Sequence, residues 1–424
     1  MNLKRLDSEL YNLVRKEISR QREGLTLIAS ENYASLEVLS VMGSPLSNKY
    51  SEGYPQKRYY SGNRFIDQIE KAAIERAKKL FRAQHANVQP HSGSQANEAV
   101  YFAILKPGDK VLAFDLSAGG HLSHGAKVNF SGRFYKFFHY GVNKRTERID
   151  FDEVEKKAIR YKPKLIVAST TSYSRKLDFK QFKKIADKIG AYLMADIAHI
   201  AGLVVAGLHP CPFPFCDVVT STTHKTLRGP RGGLILSKKK DRFDGTDLSQ
   251  KIDRAVFPGI QGGPLEHVIA AKAVCFKEAM KPSFIRYQKQ ILRNSQAMVE
   301  VFGKEGFRII SNGTDNHLFV IDISSTGLSS LFVQKELEKV GIFVNRNKIP
   351  FDKKSAFDPS GIRIGTPAIT TRGLKEKDCE EVAYLICELI KNIHLENKKS
   401  KIKKKVKEIS KKFPIYKDIK IRYN

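Results

Sequence analysis

Short apolar runs and helix-period segments alternate through the middle of the chain. Val111-Leu-Ala-Phe-Asp115 is apolar until its last residue, the pattern of a buried strand ending at a polar edge. Asp150-Phe-Asp-Glu153 reads as a capping box with Asp in place of the usual Ser or Thr. It opens a helix that runs to Tyr161 and stops at Lys162-Pro163. Residues 164–168 predict a strand, 178–188 a helix closed by Gly190, and 191–196 another strand that ends in Asp196. Strands at 217–223 and 233–237 continue the series. This alternation predicts an α/β fold, a mainly parallel sheet with helices on both faces.

The rhythm changes at Met280-Lys-Pro282. A long helical stretch follows, then strands at 307–310 and 317–322, a helix at 330–340, a strand at 342–345 and an amphipathic helix at 376–392. Those elements make a second, α+β domain of ordinary size. Beyond it the chain is lysine-rich, but Ile402, Val406, Ile409 and Phe413 recur at helical spacing, which predicts a docked amphipathic helix.

Composition narrows the class. Of 424 residues 41% are hydrophobic, enough for a large core and too many for a disordered chain. No apolar run reaches the roughly 18 residues of a membrane helix, and the charged start Met1-Asn-Leu-Lys-Arg lacks the apolar stretch of a secretory signal. Five cysteines with no CxxC pair argue against a disulfide framework or a structural zinc site, and fit a reducing, cytoplasmic setting. The net charge is +30, and residues 397–424 concentrate it, with eleven Lys and one Arg against Glu408 and Asp418. The remaining excess is thin and mostly Lys. It reads as compositional rather than as a nucleic-acid face, where basic residues cluster with aromatics.

Three segments carry chemistry. Thr222-Thr-His-Lys-Thr-Leu227 places Lys225 where a β-branched strand meets a Gly-rich turn containing Arg228 and Arg231. Nearby cations lower a lysine pKa from about 10.4 toward the range an imine-forming amine needs. Asp196, at the end of another strand, could bond the pyridinium nitrogen of pyridoxal phosphate while Lys225 forms the Schiff base; equally, it could cap the next helix. His91-Ser-Gly-Ser-Gln-Ala-Asn97 leads small residues into a helix start, where backbone N–H groups can cradle a phosphate. His121 and His124 have metal-like spacing but no evident third ligand, so no metal site is expected.

These segments, with Leu27-Ile-Ala-Ser-Glu-Asn-Tyr33, Asn48-Lys-Tyr-Ser-Glu-Gly-Tyr-Pro55, Lys57-Arg-Tyr-Tyr60, Gly119-Gly-His-Leu-Ser-His-Gly125, Ala255-Val-Phe-Pro-Gly259, Gln261-Gly-Gly-Pro264 and Ser360-Gly-Ile-Arg-Ile-Gly365, stand in one recognisable order. From about residue 5 to about residue 395 the chain closely resembles the serine hydroxymethyltransferase family. The resemblance implies the aspartate-aminotransferase (type I) fold: a seven-stranded sheet in a large domain at 51–280, an arm at 1–50 and a small domain at 281–424. It implies reversible transfer of a one-carbon unit from L-serine to tetrahydrofolate, giving glycine, by a homodimer that shares its active sites.

It also implies roles. Lys225 would carry pyridoxal phosphate, Asp196 hold its ring nitrogen, His121 stack on the ring and His199 bond its phenolic oxygen. Ser94 and Gly93 would hold the phosphate with Tyr50 and Gly263 lent by a second copy, and Thr171 would also line the cofactor. Arg363 with Ser30 would grip the amino-acid carboxylate, which a planar guanidinium does in two-pronged fashion. Glu52, again from the second copy, would move protons with Tyr60 nearby, and His224 would shape the substrate side. Leu116, Gly120, His121, Leu122, Asn347, Ser355, Ala356 and Phe357 fall where the family holds folate. Departures from the family's pattern lie at Ala118, Thr171, Arg254, Arg346 and Ala356, none of them the lysine, the ring aspartate or the carboxylate arginine. A folate-independent aldolase of the same fold would share Lys225 and Asp196 but lack the folate positions.

Overall fold

Seven strands in the stretch Asn32–Lys289 build one sheet. Edge to edge they are His85–Asn87, Gly233–Ser237, Val218–Thr222, Tyr192–Asp196, Leu165–Ser169, Lys110–Phe114 and Lys136–Tyr140. Neighbours among the last five pair parallel, and Gly233–Ser237 alone runs against both of its neighbours. The central strands are buried along their whole length, which is why they read as unbroken apolar runs. Val111, Leu165, Val167, Tyr192 and Met194 pack in one cluster with Ala96, Val100 and Tyr101 of the helix Gly93–Ile104. On the other side Phe182 of Phe179–Ile189 meets Tyr140 at 5.5 Å and Phe151 of Phe151–Tyr161 at 5.0 Å between ring centroids. Helices therefore cover both faces, as the alternation requires. The expected cap at 150 forms by half: Asp150 accepts from the Glu153 N–H, while the Glu153 carboxylate accepts from Gly141 instead.

The computed structural model describes residues 3–416, and the basic residues beyond Tyr416 lie outside that range. The chain divides into two compact units: Asn32–Lys289, and a second that joins the segment ending at Glu31 to the segment beginning at Gln290. This division differs from an arm at 1–50 with a break after 280. Met280-Lys-Pro282 marks where the helix Pro282–Lys304 starts, and the break falls inside that helix. A continuous hydrogen-bond ladder leaves no break in periodicity to read there.

In the second unit Arg308–Ile309, Leu318–Asp322, Gly361–Gly365 and Asn345–Asn347 form an antiparallel sheet in that order. Phe302, Phe319, Ile321, Ile362, Ile364, Val382 and Ile386 make its core. The expected strand at 342–345 is divided between two sheets. Ile342–Phe343 pairs parallel with Leu25–Thr26, and Asn345–Asn347 pairs with Gly361–Gly365. That first pairing, with Gly365 N–H donating to Leu27 O at 2.8 Å, ties the N-terminal segment into this unit. Gly365 is needed there, since a Cβ would sit 2.4 Å from the Ala29 Cα.

The basic helix Glu396–Lys412 docks through Ile402, Val406 and Ile409, as its spacing predicts. Arg372, buried, locks it in place. Its guanidinium donates to the carbonyls of Gln21, Arg22 and Gly24 at the end of Ser8–Glu23, and to those of Ser410 and Phe413 at the end of the basic helix. One cation thus satisfies carbonyls that helix ends leave without partners. Arg372→Leu is expected to lower stability by on the order of 3 kcal/mol, since two buried and three partly buried carbonyls lose a charged donor. Urea unfolding followed by circular dichroism would measure it, and a change under about 0.5 kcal/mol would count against the clamp.

Candidate active site

The carboxyl ends of the parallel strands bring the predicted chemistry together. Asp196 ends one strand in register with Thr220 of the next, and Lys225 follows that strand three residues past its end at Thr222. Both are buried, at 9% exposure. Thr226 fixes the lysine loop: its hydroxyl donates to His199 O at 3.0 Å and accepts from Gly202 N–H at 3.0 Å, and its carbonyl accepts from Gln288 at 2.7 Å. Asn32 Nδ2 reaches the Lys225 carbonyl at 2.9 Å. His199 is thereby set beside the loop through its own backbone.

A polar network converges on Asp196. Its Oδ2 accepts from Asn97 Nδ2 at 3.0 Å and faces His124 Nε2 at 3.1 Å, and its Oδ1 accepts from the Ala198 N–H at 3.0 Å. The bond to Ala198 closes a local turn and caps no helix: the next helix, Ala201–Val205, starts from Ile200 with no side-chain cap. An ionised carboxylate only accepts, so His124 presents Nε2–H to it and turns Nδ1 to the Tyr101 hydroxyl 2.6 Å away. Burial keeps that phenol protonated, its pKa well above the usual value. Thr220 orients Asn97 from behind, and Ser123 links Asn97 at 2.8 Å to His121 Nδ1 at 2.7 Å. Burial alone would raise the Asp196 pKa. The His124 hydrogen bond, with His121 and Asn97 assisting, instead holds it well below the ordinary carboxylate range.

Other predicted residues surround this centre in the same unit. Ser92 caps the helix Gly93–Ile104, accepting from Gln95 N–H, so Gly93 and Ser94 occupy the first helical turn, whose N–H groups lack intrahelical partners. Thr171 N–H donates to Gly119 O at 2.7 Å, joining the turn after one strand to the turn after another; Gly120 and His121 follow directly. Leu116 and Leu122 lie about half exposed. His224 is partly buried near Lys225 and Arg231. Burial first, then those cations, lowers its pKa to about 3, so its imidazole is neutral. Its Nδ1 has no hydrogen-bond partner among the described residues.

A second cluster gathers Tyr50, Tyr60, Glu52 and Gly263. The Tyr50 and Tyr60 rings meet edge-on at 5.2 Å, the Tyr50 hydroxyl lies 3.4 Å from Glu52 Oε1, and the Gly263 backbone packs on the Tyr50 ring. The other unit holds Arg363, Ser30 and four folate positions. Arg363, buried on Gly361–Gly365, donates from Nε to Asn345 Oδ1 at 2.9 Å, and burial lowers its pKa to about 10. Ser30 follows the segment hydrogen-bonded to the end of that strand. Asn347 ends the neighbouring strand, and Ser355, Ala356 and Phe357 lie on an exposed loop. Among the described residues no group of three or more His, Cys, Asp or Glu is arranged to hold a metal ion. No helix there is long and apolar enough to cross a membrane.

The sequence model of serine hydroxymethyltransferase matches residues 3–386. The chain belongs to the serine hydroxymethyltransferase family. Serine hydroxymethyltransferase is a pyridoxal-phosphate-dependent transferase of one-carbon metabolism, and the mostly parallel seven-stranded sheet is that of a type I enzyme of this cofactor. The residues present fit the cofactor. A buried aspartate kept anionic suits a ring nitrogen that must stay protonated, and the unpartnered Nδ1 of neutral His224 offers a polar atom beside the lysine.

No sequence motif assigns Tyr101, Asn97 or His124 a part in holding Asp196; His124 stands out there only by its spacing from His121, at which no metal site is expected. Asn97 was open to detection as the one amide among the small and apolar residues that follow Ser94 on the helix Gly93–Ile104, after Gln95. Tyr101 has no such signal, because an aromatic at that spacing reads as core.

Ser51, between Tyr50 and Glu52, is held by a further buried acid. Its Oγ lies 2.5 Å from Glu266 Oε1, while Glu266 Oε2 has no partner among the described residues. Burial is the main cause that raises the Glu266 pKa from 4.5 to about 7. Folding therefore favours the protonated acid: its contribution is full below about pH 4.5 and is lost as pH rises through about 7. Glu266→Gln is expected to flatten the stability curve across that window by on the order of 1–3 kcal/mol. Urea titrations at several pH values would show it; an unchanged slope would refute the assignment.

Proposed function

We propose that this enzyme transfers the hydroxymethyl carbon of L-serine to tetrahydrofolate, with pyridoxal phosphate held covalently by Lys225. The observation that carries the reading is the buried, anionic Asp196 one strand away from the lysine loop. When bound, the cofactor supplies an electron sink for the bonding pair left at the amino-acid α-carbon. Asp196 keeps the ring nitrogen protonated, and its charge acts most strongly as electrons move toward the ring. His121 would lie on the ring, His199 at its phenolic oxygen, Thr171 at its edge, and Ser94 with Gly93 at the phosphate.

Arg363, with Ser30, would take the amino-acid carboxylate; its burial strengthens a paired interaction with an anion. Glu52 would move protons with Tyr60 beside it, and neutral His224 would bound the substrate side without adding charge. Leu116, Gly120, His121, Leu122, Asn347, Ser355, Ala356 and Phe357 would hold folate. The amide of Asn347 suits a heterocycle edge, and Arg346 keeps a positive charge for an acidic folate tail.

A homodimer with shared sites is supported by an exposed aromatic patch. Tyr59 packs on Phe257 at 5.7 Å, Phe102 lies against Gly259, and Tyr50 lies against Gly263, so one segment backs three aromatic side chains that face solvent in the single chain. Such patches mark interfaces. The lack of paired cysteines agrees with a cytoplasmic enzyme.

Serine cleavage is expected to require tetrahydrofolate, while allo-threonine is cleaved without it; serine turnover indifferent to tetrahydrofolate would favour the aldolase reading. Lys225→Ala is expected to abolish turnover and the imine absorbance, and cofactor still fixed by borohydride in that variant would rule the lysine out. Mixing inactive Glu52→Ala and Lys225→Ala subunits under exchange is expected to restore up to about a quarter of wild-type activity, since random pairing makes half of all dimers mixed, each with one intact site. No recovery despite proven exchange would refute shared sites.

A further inference from the structure

Lys272, on the helix Glu266–Ala279, is 1% exposed, and its partners are backbone carbonyls. Nζ lies 2.6 Å from Val88 O, 3.1 Å from Pro90 O and 2.7 Å from Gly233 O. A neutral amine has two hydrogens and an ammonium three, so three acceptors around one nitrogen favour the charged form. Burial works against that charge, lowering the pKa to about 7, and Glu70 works for it.

The acceptors are informative by location. Val88 and Pro90 belong to the turn that delivers Ser92, Gly93 and Ser94 to the helix start, and Gly233 opens the strand after the Lys225 loop. The same turn is held from a second side by Gln261, which donates to Gln89 O at 3.1 Å and accepts from His91 N–H at 3.0 Å. Gly233 N–H also donates to Pro90 O at 2.9 Å. Two glycines make room for this arrangement: a Cβ on Gly232 would sit 2.5 Å from the Lys272 Cε, and one on Gly233 would sit 2.3 Å from Ser92 O. The carbonyls of Val88, Gln89 and Pro90 are thus all engaged by Lys272, Gln261 or Gly233.

We propose that Lys272 is a positioning residue for the cofactor's phosphate, its ammonium fixing the Val88–Ser92 turn against the exit of the lysine loop so that the Gly93 and Ser94 donors stand ready. The proposal rests on reading that helix start as the phosphate cradle. Removing the ammonium leaves the turn free to relax, and the affinity lost belongs to the phosphate rather than to the ring. Pyridoxal, which has the ring and aldehyde but no phosphate, separates the two.

The test measures binding of pyridoxal phosphate and of pyridoxal to cofactor-stripped protein by absorbance. Lys272→Met is expected to weaken pyridoxal phosphate at least about tenfold while changing pyridoxal less than about twofold. Lys272→Gln, which keeps amide donors, is expected to fall between and decides the matter if the methionine variant does not fold. Unchanged pyridoxal phosphate affinity in either soluble variant, or equal losses for both ligands, would overturn the role. Ser94→Ala serves as the separate control. If it fails to discriminate between the ligands, the cradle reading is wrong whatever Lys272 does.

Discussion

Burial raises a carboxyl pKa, yet Asp196 is held below the ordinary range by donors drawn from three parts of the chain. Asn97 comes from the helix Gly93–Ile104, and His124 from the turn beyond His121. Ala198 supplies a backbone N–H, and Thr220 fixes the Asn97 amide from the neighbouring strand. Holding the anion therefore also ties together the helix start, the His121–His124 turn and the strand that leads to Lys225. Loss of any of these donors would leave a buried charge undersupplied, a cost paid by the whole centre.

Glu266 shows the opposite outcome under similar burial. One serine hydroxyl is its hydrogen-bond partner, its other oxygen has none among the described residues, and its pKa rises. Arg58, close by, is committed to Asp67 and Glu70. Between these two acids, the number of donors rather than depth separates the ionised from the neutral one. An ionised acid suits a cofactor ring; a neutral one suits a junction that only has to hold Ser51 in place.

Much of the frame was legible before any coordinates. Alternation predicted the strand ending at Asp196 and one over 217–223 whose observed end is Thr222, and Gly190 and Lys162-Pro163 marked helix ends, because those signals are local. The strand Gly361–Gly365 carries no period-2 signal: its residues are buried throughout and glycines close both ends, so it surfaced only as a motif. The unit boundary is hidden inside a helix. Lys272 and Arg372 were illegible for another reason: a lysine or arginine on a helix reads as solvated, and only the fold shows carbonyls converging on it.

The segment from Ala255 to Gly263 touches two affairs at once. Its outer side backs the exposed aromatic patch, and Gln261 reaches inward to the turn ahead of the helix Gly93–Ile104. Whatever packs on the patch presses on the same short stretch that the bound phosphate would tension. Free-energy coupling between two binding events is reciprocal. If a second copy packs on that patch, as proposed, stripping the cofactor would loosen assembly and dilution into monomers would loosen the cofactor.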